Sequence, residues 1–284
     1  MNHSPNPTWP VVLSVAGFDP SAGAGVAADL KTLAAHSCYG IAAITALTVQ
    51  NTQGVESVHP VEPAVLKSTI QALLADHRVC AVKIGMLANR ANAEVVCELL
   101  ESNADLPVVL DPVFRSSSGV ELLDAAGREF LRDRLLRRAS LVTPNVMEAA
   151  ALTGLKVENQ EEMKAAARKL VEMGARAVVV TGGHLDKAID VLFDGTELQS
   201  FVGDRVKPEN THGTGCTFSS AVAANLALGR QLDDAVVLAK AFVTEAIRKA
   251  FPVGSGRIPL NHLYRMLQAQ RTSDHSLALS EPVH

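Results

Sequence analysis

The stretch VCAVKIGMLANRANAEVVCELLESNADLPVVL, Val79–Leu110, decides the fold class. Val79–Ile84 is a short apolar run that reads as a strand. Asn89–Ser102 has the apolar spacing of a helix, and Val108–Leu110 is a second β-branched run. Strand, helix and strand in that order make the crossover unit of a parallel sheet. The same alternation extends in both directions. Toward the N-terminus, Val11–Val15 reads as a buried strand, Gly17–Gly25 as a loop and Val26–His36 as a helix. Ile41–Val49 is a further apolar run, and Glu62–Asp76 a helix that admits Pro63 in its first turn. Toward the C-terminus come a helix at Asp124–Leu136, a strand at Leu141–Val142, a helix at Glu161–Met173 closed by Gly174, and a strand at Ala177–Val180. The period then switches. Ile189–Phe193 and Glu197–Val202 flank Asp194-Gly195, a hairpin signal that predicts an antiparallel margin on a mostly parallel sheet. Helices are predicted at Cys216–Leu228, Asp233–Lys249 and Leu260–Gln270, and a frayed tail over 271–284. The pattern predicts a single α/β domain over residues 1–270, with no internal repeat or long linker.

Composition narrows the function classes. The chain has 284 residues, 48% apolar and 20% charged, with aromatics at only 4%. The core is therefore expected to consist of Ala, Val, Leu and Ile in a helix-covered sheet. Scarce aromatics and a net charge of -4 argue against nucleic-acid partners. No apolar run reaches the roughly 20 residues of a membrane helix. The four cysteines, Cys38, Cys80, Cys97 and Cys216, show no C-x-x-C spacing. With no signal-peptide pattern at the N-terminus, the expectation is a cytoplasmic protein with free thiols.

Ligands of parallel sheets bind beyond the carboxyl ends of strands, and four loops there are unusual. The first, Ala16–Gly25 (AGFDPSAGAG), includes a G-x-G-x-x-A match at Gly23–Ala28. The acidic residue that a dinucleotide site needs at the end of the next strand is missing, and turn glycines are the plainer explanation. The second, Thr211–Ser220 (THGTGCTFSS), leads into a helix. Its glycines, Thr214 and free N–H groups make an anion site. Cys216 stands at that helix start, where a thiol pKa is expected to be lowered. The third is Asp111-Pro112-Val113. The fourth, Thr143–Glu148 (TPNVME), carries Asn145 and Glu148. Asp111 and Glu148 are candidate Mg²⁺ ligands, although Glu148 equally suits a first-turn carboxylate that favours the helix dipole.

Taken together, the segments AGFDPSAGAGVAADLKT (Ala16–Thr32), ITALTVQNTQGV (Ile44–Val55), VKIGML (Val82–Leu87), LDPV (Leu110–Val113), TPNVMEAAALTG (Thr143–Gly154), VTGGH (Val180–His184) and NTHGTGCTFSSAVAANLALG (Asn210–Gly229) resemble the ribokinase-like superfamily. The resemblance is closest to its hydroxymethylpyrimidine/phosphomethylpyrimidine kinase branch. It implies a three-layer α/β/α fold and ATP- and Mg²⁺-dependent phosphorylation of hydroxymethylpyrimidine and its monophosphate in thiamine biosynthesis. A homodimer is also implied. Gly17, Asp29, Gln50, Met86 and Val113 would line the aminopyrimidine pocket, with Asp29 accepting from the amine. Asp111 and Glu148 would organise Mg²⁺, and Asn145, Thr181 and Gly183 the nucleotide. Gly213, Thr214, Gly215 and Cys216 would form the anion hole. Cys216, where most of the superfamily carries Asp, would act as base or position the substrate.

Two departures stand out. Ser117 and Thr181 occupy positions where this branch often carries lysine, and Arg115 is the expected replacement cation. Two other readings stay open from the sequence: a pyridoxal/pyridoxine kinase on the same scaffold, and a non-catalytic pyrimidine-binding relative.

Overall fold

A computed structural model describes residues 9–183, 188–203, 205–208 and 210–266. His184 and the expected tail, 271–284, lie outside them. Among the described residues nine strands form one sheet, in the order β3-β2-β1-β4-β5-β6-β7-β8-β9. They are β1 (Val11–Phe18), β2 (Tyr39–Asn51), β3 (Gly54–Pro60), β4 (Val79–Ile84), β5 (Val108–Leu110), β6 (Leu141–Val142), β7 (Val178–Gly182), β8 (Ala188–Phe193) and β9 (Leu198–Gly203). β2, β1, β4, β5, β6 and β7 are mutually parallel. The hairpin predicted around Asp194-Gly195 forms, as β8 and β9, and makes one margin antiparallel. The opposite margin is antiparallel too, because β3 folds back on β2. β3 was not expected: GVESVHP carries little apolar signal, and pairing with a neighbour alone holds it extended.

Side chains alternate across the sheet, and the two faces carry different helices. Leu13 and Val15 of β1 and Val178 and Val180 of β7 join the larger core. That core lies under α2 (Pro63–Asp76), α3 (Arg90–Glu101), α5 (Val146–Thr153) and α6 (Gln160–Glu172). The helical stretch that starts with α4 (Ala125–Phe130) belongs to the same face. Val12 and Val179 point the other way, under α1 (Gly25–Ala35), α7 (Thr214–Ala227) and α8 (Leu232–Arg248). Ala221, Ala223 and Ala224 of α7 and Ala235, Ala239 and Ala246 of α8 are fully buried there, so small side chains bring these two helices close to the sheet. The helix expected from Leu260 is not seen as such. A two-residue strand, β11 (Ile258–Pro259), pairs with β10 (Thr211–His212), and helical geometry begins only at Tyr264.

Two histidines on this second face are buried. His36 packs edge-on against Phe242, with ring centroids 4.5 Å apart, and its Nε2 has no hydrogen-bond partner among the described residues. His262 Nε2 lies 3.0 Å from Thr217 Oγ1 of α7. Burial pushes both imidazoles below their ordinary value, His262 to about 3. Below about pH 6.5 the unfolded chain therefore takes up protons that the folded chain refuses, so stability falls on acidification. The expected loss is about 1 kcal/mol for His262 by pH 5.5, and His36 adds to it in the same direction. Urea midpoints at pH 7.5 and 5.5 measure it, and His262→Gln should flatten the pH dependence.

Candidate active site

The carboxyl ends of the parallel strands converge on the start of α7. Asp111 follows β5, and Ser219 of α7 donates to its Oδ2 at 3.2 Å. A β-carbon on Gly215 would stand 3.7 Å from the same oxygen, so the glycine loop faces this carboxylate. The loop's shape depends on Gly213, which caps α7 with φ +87. A side chain there would fall inside the carbonyl oxygen of Gly23. The glycines of the Gly23–Ala28 match thus serve the close approach of two loops. Gly213→Ala is expected to cost at least about 2 kcal/mol and most of the turnover, from left-handed strain plus a backbone clash. Gly215→Ala should keep its melting temperature and lose turnover, because its methyl group stands before Asp111. Thermal melts and initial rates on the two variants distinguish the effects.

Cys216 departs from expectation. It keeps part of its surface open to the cleft. Protein nonetheless surrounds the thiol, and burial pushes its pKa up to about 12, against the opposing pull of Lys83. Burial outweighs the helix dipole, so the lowered pKa expected at a helix start is not realised, and the resting group is a neutral thiol.

Asp29 also needs correcting. It was expected to accept from the pyrimidine amine, but it is fully buried and fully used. Lys83 Nζ reaches both of its oxygens at 2.9 Å. Ser14 donates to Oδ2 at 2.6 Å and Ser220 to Oδ1 at 2.8 Å. With four hydrogen bonds from three donor groups on two oxygens, no acceptor position is left for a ligand. Asp29 lies beneath the site and holds α7 through Ser220. Its partner Lys83 was missed from the sequence, although a lysine inside the otherwise apolar run VCAVKI is the signature of a buried ion pair. Burial opposes the Lys83 charge, but Asp29, Cys216 and Asp111 hold its pKa above that of an ordinary lysine.

Asn145 caps α5 by accepting from Met147 N at 2.9 Å and Glu148 N at 3.0 Å, while Asn145 N donates to Glu148 Oε2 at 2.9 Å. The first-turn role anticipated for Glu148 is therefore present as a capping box. Burial, and then the Asp111 charge, raise the Glu148 pKa; burial also raises that of Asp111. Thr181 lies beside Asn145 through a parallel bridge, and Gly183 follows β7 with open space where a side chain would be.

Gly17, Met86 and Val113 are brought together. A β-carbon on Gly17 would meet Met86 Sδ at 2.6 Å. Val113 packs on the small cluster of Ala46, Met86 and Leu122. Gln50 stands at the end of β2, its Nε2 3.2 Å from His212 Nε2. His212 was not singled out from the sequence, yet it joins three loops. Its Nε2 lies 3.0 Å from Asp19 Oδ2, and its Nδ1 lies 3.2 Å from Ser117 Oγ. Burial raises the Asp19 pKa, but bonds from His212, Ser21 and the Ala24 backbone outweigh this and hold the carboxyl below its usual range. Arg115, the expected replacement cation, is exposed and 3.4 Å from Glu121 Oε1. A different guanidinium, that of Arg257, donates to the Ser117 carbonyl at 2.8 Å.

Comparison with known proteins fits this geometry. A family model described as phosphomethylpyrimidine kinase matches residues 19–261. The hydroxymethylpyrimidine/phosphomethylpyrimidine kinase of Aquifex aeolicus is 45% identical over 248 residues, covering 87% of this chain and 97% of that one. A bifunctional thiamine biosynthesis protein of Geobacter sulfurreducens is 44% identical over 254 residues, covering 89% of this chain and 52% of that one. The structure of Staphylococcus aureus pyridoxal kinase in complex with AMP-PCP and pyridoxal superposes with a TM-score of 0.82 at 33% identity, covering 90% of this chain and 94% of that one.

Proposed function

The chain belongs to the phosphomethylpyrimidine kinase family, a kinase family of thiamine biosynthesis, and we propose that its Asp111, Gly213–Cys216 and Gly17–Met86–Val113 groups form the site where phosphoryl transfer takes place. It is a kinase of hydroxymethylpyrimidine and its monophosphate, with ATP as donor. One observation carries the site assignment: the glycine loop at the start of α7 faces the buried carboxylate of Asp111 at the end of a parallel strand.

The N–H groups of the Gly213–Cys216 turn and the dipole of α7 stabilise negative charge on the transferring group. Met86 and Val113 supply an apolar wall for the pyrimidine ring, and Gln50 offers a donor and an acceptor to its edge. Cys216, as a neutral thiol, orients the hydroxymethyl oxygen, and Asn145, Thr181 and Gly183 border the nucleotide. Mg²⁺ is the proposed metal. Among the described residues no three His, Cys, Asp or Glu side chains converge as a metal cage. Two neighbouring buried carboxylates, Asp111 and Glu148, suit an ion that keeps its waters and leans on substrate phosphates. Bound there, Mg²⁺ would neutralise phosphate charge.

A homodimer is proposed from β2, whose Leu47 and Val49 expose apolar surface near the antiparallel sheet margin. Sedimentation of a Leu47→Lys variant tests it. Among the described residues no helix is long and apolar enough to cross a membrane. A cytoplasmic location is proposed on composition and the unpaired thiols.

Product analysis after incubation with hydroxymethylpyrimidine and Mg·ATP under reducing conditions is the direct test. Pyrimidine-dependent ADP and a diphosphate end product are expected, and their absence would sink the reading. The pyridoxal-bound relative motivates one comparison, the specificity constants for pyridoxal and hydroxymethylpyrimidine.

A further inference from the structure

A small cavity beside the glycine loop has no role in the assignments above. Gln50, Thr52, Ser116–Ser118, His212 and Arg257 are among the residues that line it. The chemistry of its lining is that of an anion site. Arg257 is half-buried, and its backbone N–H donates to Thr52 O at 2.7 Å, which fixes the segment entering β11. One Nη2 donor is used on the Ser117 carbonyl at 2.8 Å. Among the described residues the Ser117 carbonyl is the one partner of the Arg257 side chain and no carboxylate pairs with it, so most of its fork is uncommitted there. Around it stand three serine hydroxyls. Ser116 Oγ and Ser118 Oγ are 2.9 Å apart, and Ser117 Oγ lies 3.2 Å from His212 Nδ1. The Asp19 carboxylate, on the other side of His212, accepts from its Nε2.

The position of the cavity selects the ligand. His212 immediately precedes Gly213, the first residue of the anion hole, and Gln50, which would read the pyrimidine edge, lines the same space. A short anionic substituent on a ring held at Gln50 would meet the serine loop and Arg257, which line the same cavity. We propose that Arg257, with the Ser116–Ser118 loop and His212, is the subsite for the phosphate of the monophosphorylated acceptor, and so distinguishes the second phosphorylation from the first. The proposal rests on the kinase reading above. The alcohol acceptor has no group to place there, and the cation that meets the acceptor's phosphate comes from the far end of the chain and not from Arg115.

Steady-state kinetics on the two acceptors, the hydroxymethylpyrimidine and its monophosphate, test this in wild type, Arg257→Ala, Arg257→Lys and Arg257→Ala/Ser117→Lys. Losing a charge-assisted contact to phosphate should raise KM for the monophosphate about tenfold or more relative to any change for the alcohol. Arg257→Lys should retain part of the selectivity. The double variant, with an ammonium entering from the Ser117 side, should recover part of it. Equal losses on both acceptors, an unchanged ratio, or a rise confined to the KM for ATP would each overturn the proposal. Calorimetric binding of the monophosphate and the alcohol to the same proteins keeps the two readings separate. If wild type turns over neither acceptor, the kinase reading fails, while monophosphate binding weakened in Arg257→Ala still supports the subsite. Binding equal in both proteins removes it.

Discussion

Lys83→Met is expected to destabilise the protein by about 3–5 kcal/mol, the largest single-residue effect anticipated on folding. Lys83 and Asp29 are both completely buried, and the ammonium bonds both carboxylate oxygens. Methionine fills a similar volume but leaves a carboxylate inside the core with only the hydroxyls of Ser14 and Ser220 as donors. An uncompensated buried charge costs far more than the lost attraction of the pair, since neither water nor a counter-charge replaces it. Lys83→Met/Asp29→Asn should therefore recover much of the loss, because a neutral pair carries no such penalty. The double variant also isolates a functional consequence. Ser220 ties Asp29 to α7 one turn after Cys216, and Ser219 ties the same turn to Asp111. A refolded double variant with lowered turnover shows that the ion pair holds the anion hole in register. Urea unfolding and initial rates on the three proteins measure both effects. A Lys83→Met midpoint within error of wild type would refute the argument.

Cys216→Ala is expected to lower turnover by about 10²–10³ while Mg·ATP affinity changes little. In the proposed site the removed group faces the acceptor oxygen, and the proposed nucleotide contacts lie on other loops. Because burial pushes the thiol up to about 12, no appreciable thiolate exists near neutral pH. Cys216 then acts by holding the hydroxymethyl group in line, a task that a hydroxyl performs almost as well. Cys216→Ser should accordingly retain far more activity than Cys216→Ala, and the wild-type rate should show no limb from a thiol titrating between pH 6 and 9. A serine variant as inactive as alanine, or a thiol limb in that range, would return Cys216 to the role of base. Rates as a function of pH and nucleotide titrations decide between the two.

Parts of this were readable along the chain. Val79–Leu110 yielded a strand, a helix and a strand whose bounds agree with the structure to within a residue or so, because each is encoded by its own apolar period. Asp194-Gly195 marked the hairpin because that turn chemistry is local. The anion loop, Asp111, and the TPNVME turn also lie on contiguous residues. Several things were not readable. β3 forms only because β2 is beside it. The C-terminal helix expected from Leu260 starts only at Tyr264, after the segment in which His262 is anchored on α7.

The order of elements, the parallel sheet, the family and the loops that carry the chemistry are legible along the chain, since all of these are set by residues within a few positions of one another. What the charged groups do is set by packing between distant segments. Asp29 meets Lys83 across 54 residues and Ser220 across 191, and Arg257 meets the Ser117 loop across 140. No local pattern states whether a carboxylate is exposed to a ligand or sealed under a helix. Burial and partners set its free energy, and both are properties of the packed core. The same reason turned Cys216 from an expected thiolate at a helix start into a neutral thiol, and replaced Arg115 by Arg257 as the cation beside the serine loop.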